Sequence, residues 1–111
     1  MESTRQKKVS RLLQRDLGSI LQKKSPELGG KMITVTVVRV SADLSIAKVY
    51  LSIFPVKKEE DPLKPVKQHA TDIRHELGQK VRNQLRVIPE LQFFIDDSLD
   101  YIENIENLLK E

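Results

Sequence analysis

The stretch Val38-Arg39-Val40-Ser41-Ala42-Asp43-Leu44-Ser45-Ile46-Ala47-Lys48-Val49-Tyr50-Leu51-Ser52-Ile53-Phe54 decides the fold class of this chain. It reads as one β-hairpin. An apolar strand running from about Met32 to Val40 meets a short polar connection, and strict alternation follows. Ala47, Val49, Leu51 and Ile53 point one way, while Lys48, Tyr50 and Ser52 point the other. Asp43 and the flanking serines supply side-chain oxygens that close such a turn locally.

Upstream of the hairpin, Val9, Leu12, Leu13, Leu17, Ile20 and Leu21 recur every three or four residues. The spacing predicts an amphipathic helix from about Thr4 to Lys24. Arg5, Lys8, Arg11 and Arg15 follow the same period on another face. Pro26, Gly29 and Gly30 end the helix and lead into the hairpin. Downstream, Pro55 to about Pro65 is a polar loop of mixed charge. A second helical segment from about Leu63 to Arg86 follows, with Val66, Ala70, Ile73, Leu77, Val81 and Leu85 as its apolar face. Gly78 interrupts that pattern at a cost of about 1 kcal/mol relative to alanine. It marks either a break into two helices or a close approach to the backbone. Pro89 stops the segment, Leu91–Ile95 is a third strand, and Asp97 or Ser98 caps a last short helix through Leu99, Ile102, Ile105 and Leu109. The order is α+β: a small sheet with helices packed on one face.

A chain of 111 residues is expected to form one domain, residues 1–111, with a single core. It has no cysteine, so disulfides, zinc knuckles and thiol chemistry are excluded. No apolar run is long enough to span a bilayer, and the charged N-terminus is not a secretory leader. The formal net charge of +3 hides an asymmetry. Residues 1–24 carry seven basic and two acidic side chains, whereas residues 95–111 carry six acidic side chains and one lysine. A basic front on a small domain calls for an anionic partner.

The strongest candidate site is the basic face of the second helical segment. At 100° per residue Lys67, Arg74, Arg82 and Arg86 fall on one side, with Gly78 among them. A cationic row beside a glycine suits a phosphate backbone, because the missing side chain lets a strand come close. A merely solvated face is the alternative for any one helix; two basic helices in one small domain favour nucleic acid. The stripe on the first helix fits RNA backbone contact or solvation better than a membrane surface, because its apolar face lacks Trp and Phe anchors. His69 and His75 lie about 240° apart on a helix and cannot share a metal. Asp96, Asp97 and Asp100 could hold magnesium, but more simply complement the positive end of the last helix. No catalytic constellation and no phosphate-cradling glycine loop is present. Tyr50 is the one clear outward aromatic on the hairpin, so recognition of phosphate and shape is expected over reading of unstacked bases.

Over most of its length the chain resembles the ribosome-binding factor A family. The likeness is carried by Lys8-Val9-Ser10-Arg11-Leu12-Leu13-Gln14-Arg15-Asp16-Leu17, by the hairpin, by Ile73-Arg74 with Glu76-Leu77-Gly78, and by Leu85-Arg86-Val87-Ile88-Pro89-Glu90-Leu91 leading to Phe93, Asp96, Asp97 and Ser98. The resemblance implies a type II K-homology-like domain without the usual Gly-x-x-G loop. It implies a non-enzymatic assembly factor that binds free small (30S) subunits and their 16S rRNA; beside it, the composition and the absence of motifs lead to the expectation of a cytoplasmic monomer without a cofactor, metal, membrane or DNA partner. It also implies promotion of late rRNA maturation and a role greatest in the cold. The RNA-binding residues expected from the two basic helix faces are Arg5, Lys8, Arg11, Arg15, Lys67, Arg74, Gly78, Arg82 and Arg86. Family members break the central helix at an Ala-x-Gly element; here His69-Ala70-Thr71 aligns with it and lacks the glycine. The competing reading is a protein-interaction adaptor that uses the acidic last helix or a sheet edge.

Overall fold

A computed structural model describes residues 3–96. The expected last helix, with Asp97, Ser98 and Asp100, lies outside the described residues. Helix α1, Thr4–Lys24, starts at a capping box: the Ser3 hydroxyl accepts the Gln6 N–H at 3.1 Å, and the Gln6 side chain accepts the Ser3 N–H at 2.7 Å. The Gln6 amide also donates to the Val40 carbonyl at 2.9 Å, so the cap fixes the helix start against the sheet. A 3-10 turn at Ser25–Leu28 ends α1, and Gly29 adopts φ 94°, which glycine takes without penalty.

Strands β1, Met32–Val40, and β2, Ile46–Phe54, form the expected antiparallel hairpin; β3, Glu90–Ile95, adds parallel to β2 in the order β1-β2-β3. Ile33, Val35, Val38, Val40, Ala47, Val49, Leu51 and Phe93 point to one face. There they form a single core with Val9, Leu13, Leu17 and Leu21 of α1 and with the helices that follow the hairpin. Val35 pairs with Leu51 but Val37 with Tyr50, so Thr36 is an extra residue, a β-bulge. The Gln14 amide donates to the Val35 and Thr36 carbonyls at 3.3 and 3.2 Å, which satisfies the irregular backbone.

The hairpin turn closes as its residues require. Asp43 Oδ1 accepts both the Ser41 and Ser45 hydroxyls at 2.7 Å, and the Ser41 Oγ accepts the Ser45 and Ile46 N–H groups. These bonds hold Leu44 at φ 60°, a conformation leucine adopts only when over-determined. The Ser45 hydroxyl, then the Ser41 hydroxyl, hold the Asp43 carboxyl down at about 2. A depressed carboxylate stabilises the fold above its ordinary value, and that contribution fades as pH falls toward the folded value. The Ser45 and Ile46 amides should therefore lose protection from exchange between pH values of about 4 and about 2, a window in which Asp43→Ala shows no such transition. Amide signals that stay unchanged across that window in the wild-type chain would contradict this reading of the turn.

The second helical segment is divided within the His69-Ala70-Thr71 element and ends earlier than expected. It is two helices, α2, Leu63–Gln68, and α3, Ala70–Val81, with His69 between them at φ −100°, ψ 13°. Gly78 does not mark the break; it lies inside α3. The helical pattern also stops before Arg86. The Val81 carbonyl accepts the N–H groups of both Gln84 and Leu85 at 2.8 Å, which closes α3 in a tight turn. Arg82, Asn83 and Gln84 offer nothing to the core, whereas Leu85 and Ile88 pack against it, and Pro89 keeps Ile88 extended. Residues 82–89 thus form a connection that folds back beside α3 and enters β3 at Glu90.

Candidate nucleic-acid interface

The 82–89 connection determines the geometry of the site. Arg86, Val87 and Ile88 run alongside α3, and together with Arg74, Gly78 and Arg82 they line a shallow groove. Arg86 and Val87 also line a second hollow, which Arg5, Val9, Asp43 and Leu44 complete. The two share Arg86 and Val87 as a wall, with one hollow on the outer side of α3 and the other at the start of α1 and the hairpin tip. Arg5, Arg82 and Arg86 are exposed and, among the described residues, take part in no ion pair. Asp43 is the acidic side chain of the second hollow, and its charge is already engaged by the serine hydroxyls.

Arg74 is placed in the groove but is partly committed elsewhere. Its Nη2 donates to the Ile88 carbonyl at 2.7 Å and its Nε to the Pro89 carbonyl at 3.3 Å. The guanidinium fork braces the connection against α3 and so positions Arg86. Gly78 has a related role. A Cβ at this position would stand 3.5 Å from Ile88 Cγ1, so the close approach that the sequence marks is made by the chain itself.

The structure does not gather all the basic residues. Lys8, Arg11 and Arg15 are exposed on the side of α1 turned away from the core, outside the groove, and Arg15 Nε lies 3.2 Å from Asp16. Lys67 is exposed on α2 and does not line the groove either. At the break, His69 Nδ1 is 3.7 Å from Asp72 Oδ2, while Ala70 and Thr71 open α3 and Thr71 reaches the groove. Sequence reasoning missed three groove residues. His75 and Gln79 stand with Thr71 in an i, i+4 row, a polar periodicity that was readable but lacks charge. Val87, 73% exposed at the groove lip, gave no signal at all. Among the described residues no cluster of His, Cys, Asp or Glu could hold a metal ion, and no helix is long and apolar enough to cross a membrane.

These features define a small α+β module with a three-stranded mixed sheet, helices on one face, and a basic groove beside a helical glycine. The family model for ribosome-binding factor A matches residues 5–109. A ribosome-binding factor A from Christiangramia forsetii is 50% identical, over 98% of this chain and 85% of the relative. The crystal structure of ribosome-binding factor A from Thermus thermophilus superposes with a TM-score of 0.67 at 27% identity, covering 81% of this chain and 94% of that one. A homology model of the Thermus thermophilus factor, fitted into the cryo-EM map of a 30S–RbfA complex, gives a TM-score of 0.62 at 28% identity, over 78% and 89% of the two chains. The chain belongs to the ribosome-binding factor A family.

Proposed function

We propose that this chain is a cytoplasmic, monomeric assembly factor with a type II K-homology-like fold, which binds free 30S subunits through their 16S rRNA. It acts without catalysis. The observation that carries this reading is that Arg86 lines two adjoining hollows, joined by Arg82 beside Gly78 in one and by Arg5, from the other end of the chain, in the second. Three cations at such a surface neutralise backbone phosphates and set the register of an RNA strand without reading its bases. Binding then favours whichever rRNA conformer fits the groove, and holds it by the difference in affinity between conformers. Lys8, Arg11, Arg15 and Lys67 lie outside the groove and contribute at most to long-range attraction, which salt screens.

Gly78→Ala separates the folding role of this position from the binding role. The alanine Cβ meets Ile88 at an ordinary contact distance, and helix propensity improves. Stability should therefore rise by up to about 1 kcal/mol. Affinity for a 16S rRNA fragment should fall several-fold, because the methyl group narrows the groove. Thermal unfolding and filter binding on the same preparation check both. Higher stability with unchanged affinity would remove the groove floor from the RNA site.

A further inference from the structure

Val9, Leu44, Leu85, Val87 and Pro89 wall the second hollow with aliphatic surface. They come from α1, the hairpin tip and the 82–89 connection. Arg5, Arg86, Asp43 and Ser45 add charge and hydrogen-bonding groups to the same hollow. Its volume is about 290 Å³, close to the lower end of small-ligand clefts, about 300 Å³. That space suits one flat ring system rather than a length of strand. Aliphatic walls with a few polar groups are the composition of a site for such a ring.

Two features of the hairpin tip go beyond closure of a turn. Position 44, at φ 60°, is one that glycine or asparagine fills at lower cost. The leucine found there packs at the core edge and also walls the hollow. The second feature is the asymmetry of the Asp43 carboxylate. The Ser41 and Ser45 hydroxyls and the Ser45 N–H all converge on Oδ1. Among the described residues Oδ2 accepts no hydrogen bond from another residue, and Asp43 forms no ion pair. An ionised carboxylate is an acceptor only. Closure of the turn uses Oδ1 and leaves Oδ2 available to a donor from outside the chain.

We propose that the second hollow takes one unstacked guanine of the RNA strand held in the groove, with Asp43 Oδ2 accepting from its Watson–Crick edge; this rests on the RNA-binding reading above. Guanine is the base whose N1–H and N2–H donors stand side by side, so both reach one carboxylate. Adenine and cytosine set a ring-nitrogen acceptor beside their amino group, and uracil flanks its N3–H with two carbonyls; a carboxylate repels these acceptors. Leu44 and Val87 supply apolar contact for the ring. Arg86, shared by both hollows, holds the phosphate that links this base to the strand beside α3. A cationic peptide is the other ligand that a carboxylate attracts, but Arg5 and Arg86 at the same hollow repel it. The hollow thus adds selection of one base to phosphate contacts that carry none.

Binding of short oligonucleotides to the whole chain tests this, with a uridine heptamer and the same oligomer carrying guanosine at its centre. The wild-type chain should bind the guanosine oligomer about tenfold more tightly, within the range that a paired base contact gives. Inosine at the centre, which lacks the amino group, should lose part of that factor. Asp43→Asn keeps an oxygen to accept from the serines and sets an NH2 donor in place of Oδ2, so the guanosine preference should vanish. Thermal unfolding checks that this variant folds, and the wild-type and inosine comparisons stand without it. Equal affinity of the wild-type chain for the guanosine and uridine oligomers would overturn the guanine site and leave the groove standing. A preference retained in folded Asp43→Asn would overturn it too. Failure of the wild-type chain to bind any of the oligomers at low salt would overturn the guanine site together with the RNA-binding reading.

Discussion

Neutralising Arg5, Arg82 and Arg86 together with glutamine is expected to weaken 16S rRNA binding by about two to three orders of magnitude at about 0.1 M salt, because each phosphate contact contributes about 0.7 to 0.9 of a decade through counterion release. The slope of log affinity against log salt should fall by about 2 to 3 units, at about 0.7 to 0.9 per phosphate. The fold should survive, because all three side chains are exposed and, among the described residues, form no ion pair. Arg74 is left out of the set on purpose. Its bonds to the Ile88 and Pro89 carbonyls hold the connection, so its loss would mix folding with binding. As a control, Lys8, Arg11 and Lys67 replaced together remove the same charge outside the groove. A salt slope reduced equally by both triple variants would mean that net charge, rather than the groove, governs binding.

The largest effect on stability is expected from Leu77→Ala. Leu77 is fully buried in α3, within the core shared with the sheet and α1, and precedes Gly78. Removing its side chain leaves a cavity and should cost about 2–5 kcal/mol. Against a typical total of about 5–15 kcal/mol, that is a large share. For a domain of this size it corresponds to a drop in Tm of roughly 10–20 °C. Val87→Ala, at a residue 73% exposed, should shift stability by less than about 0.5 kcal/mol. Thermal and urea unfolding of the two variants provide the comparison. Equal, small losses would show that α3 is not anchored in the core as described, and the groove would lose its support.

The elements with strong periodicity were legible in the sequence. The alternation in β2 and the stripe of α1 place their buried residues correctly, because each pattern had one solution that buried its apolar side chains. The bulge at Thr36 was also written there, in the paired Val37 and Val38 that break the alternation of β1, although only the register makes it plain. The extent of α3 was not legible. Leu85 continues the helical period of Val81, yet it reaches the core from a turn, and local spacing cannot distinguish those two routes to burial. The same error hid the site. A continuous helix would put Lys67, Arg74, Arg82 and Arg86 on one face. The folded-back connection instead drops Lys67, brings in Arg5 from the far end of the chain, and gives Arg74 a bracing role. Tertiary contacts between distant segments leave no periodic trace. The family resemblance, which depends on residue identity rather than on period, was unaffected by this.

The most direct measurement is sedimentation of the full-length protein with purified ribosomal particles at low and moderate salt. The account predicts that it travels with free 30S subunits and not with complete ribosomes, that moderate salt releases it steeply, and that the Arg5/Arg82/Arg86 variant stays at the top of the gradient. Undiminished cosedimentation of that folded variant, or no association of the wild-type chain with 30S subunits, would contradict it.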